Sequence, residues 1–195
     1  MVIKAPNLVK RRCRALLFSH QDKNRLIIQG AKISYTSLEF QSNPPVAVLT
    51  LSCPEKCNLI GAAMAAEIRQ ACQDISEDDG LALVLLTGAG ACFSVGQDRP
   101  VQGAPDDAPG DGAAIIDLGW IKDHQMASAL AALAIPVVVA INGDAFDHGL
   151  ELALAGDIRV AARDARFGFT GLAQGLLPWD GGTQRLPRRD DLVAG

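Results

Sequence analysis

The sequence predicts a single α/β domain, and three observations carry that reading. Short apolar runs recur as strand candidates, at Val46–Leu51 (VAVLTL), Leu81–Leu86 (LALVLL) and Val137–Ile141 (VVVAI). Segments with a helical period stand between them. The runs are continuous rather than alternating, which suits strands covered on both faces of a largely parallel sheet. At 195 residues, 49% of them apolar and 21% charged, the chain is long enough for one domain with a substantial core and short for two.

Taken in order, residues 1–32 stand apart from the rest. Lys4, Lys10, Arg11, Arg12, Arg14, Lys23 and Arg25 face a single acid, Asp22, within the first thirty. That bias is read either as a mitochondrial transit segment or as a loosely ordered N-terminal extension, with a cytoplasmic location preferred. The domain proper is expected over 33–195. After the Val46–Leu51 strand, residues 61–74 place Met64, Ile68 and Cys72 on one helical face and Glu67, Arg69, Gln70 and Gln73 on the others. Residues 100–112 (PVQGAPDDAPGDG) read as an exposed loop. A second helix carries Met126, Ala129, Leu130 and Leu133 and stops before Pro136. A short helix then holds Glu151, a strand starts at Ile158, and a last helix is expected from Gly181.

Several functions are excluded early. A net charge of −4 leaves no basic face for nucleic acid. No apolar run approaches the roughly 20 residues of a membrane span. The five cysteines (Cys13, Cys53, Cys57, Cys72 and Cys92) lack the paired spacing of a metal site, so they read as small buried thiols. TGAGACF supplies Gly88 and Gly90 of a dinucleotide fingerprint, but Phe93 holds the third position and no helix follows, so a turn is expected. No G-x-S-x-G elbow is present, and His20 and His124 fall on polar stretches.

The stretch AFDHGLELALAGD, Ala145 to Asp157, is the informative one. Glu151 sits among leucines, and an unpaired buried carboxylate costs several kcal/mol or shifts its pKa until it neutralises, a cost of about that size being usual for buried charge. With Gly143 and Asp144 turning the chain and Gly149 permitting close backbone approach, Glu151 is expected in the first helical turn. There the macrodipole favours negative charge and unpaired amides point outward. A carboxylate beside free amides suits proton transfer next to a carbonyl; a first-turn Glu that serves only its helix is the alternative.

With these residues in view, the chain from about Ile33 to Arg188 resembles the crotonase, or enoyl-CoA hydratase/isomerase, superfamily. VAVLTLSCPEKCNLI is similar to the family's opening strand and Pro-Asn turn, and LVLLTGAGACFSVGQD to its second block. PVVVAINGDAFDHGLELALAGDIRVAARDARFGF and GLLPWDGGTQRLPR follow as the third and fourth. The resemblance implies a spiral of repeated ββα units that binds acyl-CoA thioesters, with coenzyme A as part of the substrate and neither a separate cofactor nor a metal. It implies an oxyanion hole at the amides of Gln97 and His148, and Glu151 as a catalytic carboxylate. Lys56, Cys57, Leu59, Ser94, Gly96, Asp98 and Gly149 fall on segments that line the substrate channel.

Three departures matter. His148 stands where the family has Gly, bringing an imidazole to the pocket. Gly171 stands where the hydratases carry their second glutamate, so water addition is left one carboxylate short and weak hydration of crotonyl-CoA is expected. Asp180 is the nearby acid that could substitute, or else it caps the helix expected from Gly181. The chain also ends at Gly195, before helices that complete the family's trimer or hexamer, so a truncated member or fragment is expected and assembly is not carried over with the fold. Isomerisation, decarboxylation or hydrolysis of an acyl-CoA fits one carboxylate as well as hydration does. The competing reading is a non-catalytic crotonase-fold protein that at most binds CoA esters.

Overall fold

A computed structural model describes residues 2–4, 32–97 and 125–188. Its main sheet has seven strands: β1 (Val2–Lys4), β2 (Lys32–Ser34), β3 (Leu38–Asn43), β4 (Val46–Leu51), β5 (Leu83–Gly88), β6 (Val137–Ile141) and β8 (Ile158–Ala161). Their order is β1-β8-β6-β5-β4-β3-β2. The run from β1 to β4 is parallel, and β3 and β2 close one edge antiparallel. The central parallel strands β4, β5 and β6 carry the apolar runs, the pattern of strands covered on both faces. The other pairing joins β7 (Ala145–Phe146) to β9 (Phe167–Gly168) in parallel. This is the α/β crotonase-like architecture expected from the sequence. Within 1–32, Val2–Lys4 adds an edge strand beside β8 and Lys32 opens β2; the other residues of that segment, with Cys13 and His20, lie outside the described residues. So do the 100–112 loop and His124.

Helix α1 (Ala62–Glu77) buries Met64, Ala65, Ile68, Ala71, Cys72 and Ile75. On its outer side Glu67 accepts hydrogen bonds from the amides and hydroxyls of Thr36 and Ser37, fixing the turn before β3. The helix continues past the expected end at Asp74. Leu81 and Ala82 consequently close the turn, through Leu81 N–H to Asp78 O and Ala82 N–H to Pro45 O, and β5 begins at Leu83 rather than Leu81. Helix α2 (Met126–Ala131) buries Met126, Ala127 and Leu130, and Leu133 packs against the core beyond its end. Helix α3 (Asp147–Ala155) is buried along almost its whole length. Its C-terminal carbonyls receive the guanidinium of buried Arg159 on β8, which donates to Ala153, Leu154 and Gly156. A cation there complements the negative end of the helix dipole. Helix α4 (Gly182–Arg185) starts one residue later than expected, with Gly181 at φ 94° before it.

The thiols correct one expectation. Only Cys72 is buried among the described cysteines; Cys53, Cys57 and Cys92 are partly exposed because they lie on turns rather than on packed faces.

One buried side chain bridges the turns at the C-terminal ends of β4 and β5. Asn58, fully buried and at φ 53°, accepts from Cys53 N–H through Oδ1 and donates through Nδ2 to the carbonyls of Ala89 and Cys92. TGAGACF is therefore a packed turn, and the described residues after it, 94–97, form no helix. Asn tolerates the left-handed backbone conformation that this position requires. Asn58→Ala would leave Cys53 N–H and Ala89 O without this partner, while Cys92 O keeps Asn142 Nδ2, and should destabilise the fold by about 2 kcal/mol or more. Urea unfolding checks it; a loss below about 1 kcal/mol, the usual net value of one hydrogen bond, would show that the two turns are held by something else.

Candidate active site

The segment after TGAGACF runs between two others. Ile60 N–H donates to Gly96 O at 2.7 Å and Ser94 Oγ donates to Asn58 O on one side; Phe146 N–H donates to Ser94 O on the other. Gly149 then passes so close that a Cβ there would stand 2.4 Å from Ser94 O. Gly96, at φ 105°, has a similar constraint: a Cβ on it would meet Phe146 O at 3.2 Å and the His148 amide nitrogen at 3.6 Å. These approaches seat the start of α3 against residues 94–97.

Helix α3 begins at Asp147, earlier than expected, so Glu151 lies in the second turn and not the first. The chain reaches this start with Asp147 at φ 47°, and Gly149 becomes an interior helical residue. The amide donors around Glu151 come instead from another element. Its Oε1 accepts from Asp180 N–H at 2.9 Å and from Gly182 N–H at 2.8 Å. Oε2 lies 3.0 Å from His148 Nδ1, one helical turn back, and accepts no hydrogen bond of good geometry. The imidazole of His148 faces the indole of Trp179, ring centroids 4.3 Å apart. Glu151 is 1% exposed. Burial pushes its pKa up to about 7 and outweighs the lowering by the Gly182 and Asp180 amides.

These groups line a cavity of about 250 Å³. Glu151, His148, Gln97 and Gly171, all expected from the sequence, meet there. Asp147, Phe169, Leu177 and Trp179 line it too and were not foreseen. Leu177 is 71% exposed, so the apolar wall opens to solvent. Gln97 Nε2 is buried and has no hydrogen-bond partner among the described residues, leaving a donor for whatever enters.

The remaining expected residues stand outside the lining. Ser94, Gly96 and Gly149 make the close contacts behind the cavity, while Lys56, Cys57 and Leu59 sit on the neighbouring turn, with Lys56 exposed. Asp98 lies outside the described residues. Asp180 is buried, and its carboxylate turns away from the cavity to the start of α2. It accepts from Ala127 N–H at 2.6 Å, Ser128 N–H at 3.0 Å and Ser128 Oγ at 2.5 Å. It thus caps α2, not the helix that follows it. Burial raises its pKa too. Among the described residues no three His, Cys, Asp or Glu side chains are grouped to hold a metal ion.

A family model described as enoyl-CoA hydratase/isomerase matches residues 41–190. The chain belongs to the enoyl-CoA hydratase/isomerase family. Within that family it is 38% identical over 146 residues to 1,2-epoxyphenylacetyl-CoA isomerase from Escherichia coli (strain K12), covering 73% of this chain and 54% of that protein. It is 40% identical over 147 residues to the fatty acid oxidation complex subunit alpha of Shewanella baltica (strain OS155), covering 73% of this chain and 20% of that one. The chain thus spans about half the length of the first relative and a fifth of the second. Among solved structures, enoyl-CoA hydratase from Bacillus anthracis superposes with a TM-score of 0.67 at 30% identity, over 78% of this chain and 58% of that one. In this enoyl-CoA hydratase/isomerase family member, Glu151 stands on α3 and Gly171 lines the same cavity.

The raised pKa of Glu151 has a consequence for stability. Its carboxyl ionises more readily in the unfolded chain than in the folded one. The stabilisation is therefore complete below an ordinary value of 4.5 and is lost as pH rises through about 7. Unfolding free energy should fall across that window by about 3 kcal/mol from this group, and Glu151→Gln should flatten the fall. Urea melts of both proteins across the window test this; an identical slope would contradict it.

Proposed function

We propose that this chain acts on acyl-CoA thioesters by forming an enolate at the carbon next to the thioester carbonyl, with Glu151 moving the proton. The observation that carries the reading is a carboxylate 1% exposed, with its pKa raised to about 7, lining a cavity at the start of a buried helix. A group poised near neutral pH both accepts and returns protons efficiently. In the scheme, the thioester oxygen rests on the backbone amides of Gln97 and His148. Glu151 removes the proton from Cα, the C–H electron pair enters the enolate, and the negative charge collects on the oxygen between the two donors. The turn carrying Lys56, Cys57 and Leu59 forms a wall of the CoA channel, with Ser94, Gly96 and Gly149 holding the oxyanion-hole segment in place. Coenzyme A belongs to the substrate, and the scheme calls on no separate cofactor.

Double-bond migration or decarboxylation asks no more than this, whereas water addition needs a second proton-transfer group where Gly171 stands. No described helix is long and apolar enough to cross a membrane. Action on fatty acyl-CoA in the cytoplasm is the proposed setting.

Exchange of the α-protons of butyryl-CoA with deuterated solvent, followed by mass spectrometry, tests the core of the scheme. Glu151→Gln should slow exchange by about a hundredfold or more, the usual scale for losing a general acid–base group. Binding of the thioester, read by calorimetry, should largely survive. Unchanged exchange in that variant would remove Glu151 from the mechanism.

A further inference from the structure

The cavity holds a carboxylate that neither Gly171 nor Asp180 provides. Asp147 is the first residue of α3, four positions before Glu151. Both line the cavity. Asp147 holds φ 47°, a left-handed conformation that costs a non-glycine residue about 1–3 kcal/mol and persists where the surroundings enforce it. Here they do: the Thr170 hydroxyl donates to Oδ2, and Gly171 N–H donates to Oδ1 at 2.9 Å. A Cβ placed on Gly171 would stand 3.5 Å from that same Oδ1. The Asp147 carboxylate thus lies where a side chain at 171 would begin. Glu151 Oε2, buried and without a well-directed hydrogen bond, is the other acid group of the cavity.

From this juxtaposition we infer that Asp147 supplies the second proton-transfer carboxylate of the site, in place of the side chain that Gly171 lacks. The inference rests on the enolate chemistry proposed for Glu151. Two hydrogen bonds leave the Asp147 carboxylate with acceptor capacity, since it offers about four lone-pair sites. Thr170 beside it is exposed, so water reaches this end of the cavity. In the addition of water to a 2-enoyl thioester, Asp147 takes a proton from the water as its oxygen bonds to Cβ. The C=C electron pair shifts toward Cα and the thioester oxygen, and protonated Glu151 gives its proton to Cα. One water is added, and the two carboxyl groups exchange a proton with solvent to reset. Asp147 and Gly171 together thus relocate a charge from the loop to the helix start. The weak hydration expected from Gly171 alone gives way to measurable hydration.

Two variants at this position separate chemistry from structure. Asp147→Gly removes the carboxylate and relieves the strained backbone, so folding should survive, which a thermal melt confirms. Asp147→Asn keeps an acceptor for Gly171 N–H and offers its amide N–H to the Thr170 hydroxyl, but has no base. Both should lose crotonyl-CoA hydration by about a hundredfold or more, while butyryl-CoA α-exchange persists near the wild-type rate. Full hydration in Asp147→Asn would leave Asp147 a positioning role only and overturn the inference. Loss of exchange in step with hydration would do the same, as would a wild-type protein that exchanges without hydrating. A wild-type protein that neither exchanges nor hydrates would instead overturn the reading of Glu151 on which the inference rests.

Discussion

A carboxylate held inside the protein sets the arrangement around α3. Glu151 is 1% exposed, and the cost of burying it is offset by two backbone amides on a different element, both donating to Oε1. Those amides reach Oε1 only if the 178–182 turn folds down over α3. Asp180 N–H is one of them, and the Asp180 carboxylate in turn caps the start of α2. One buried acid therefore leads to a second, and a chain of acid–amide contacts joins α3, α4 and α2. Removing any member leaves its neighbour buried with unpaired polar groups, which costs more than the bond itself contributes.

Close backbone approach is the other condition. Helix α3 must lie against residues 94–97 for the amides at its start and the cavity wall to converge. Gly149 and Gly96 permit that contact, because a methyl group at either would press on Ser94 or Asp147. Asn58 holds the same segment from behind through the turns after β4 and β5. At its far end the helix is fixed by Arg159 on β8. The site therefore stands on a helix secured at both ends, which suits a carboxyl group whose acidity depends on its burial.

Much of this was legible in the sequence, and for physical reasons. Val46–Leu51 and Val137–Ile141 are strands over the residues expected, because central parallel strands show themselves as unbroken apolar runs. Glu151 was legible because a charge among leucines needs a reason. The helix start was not. Asp147 enters α3 from a left-handed conformation enforced by Thr170 and Gly171, and those contacts span more than twenty positions, beyond any local pattern. Asp180 was read against the helix beside it, whereas its partners lie at residues 127 and 128. Side chains that meet across such separations leave no periodicity to read. The role of Asp147 became visible only once Gly171 and the cavity stood next to it.

The central claim is that burial, more than the neighbouring Asp180 charge, holds Glu151 near neutrality for proton transfer. Carbon NMR titration of the glutamate carboxyl resonances, with the Glu151 signal assigned by its absence from Glu151→Gln, measures this directly. A midpoint near 7 agrees with the account, whereas a midpoint near the ordinary value of 4.5 would contradict it.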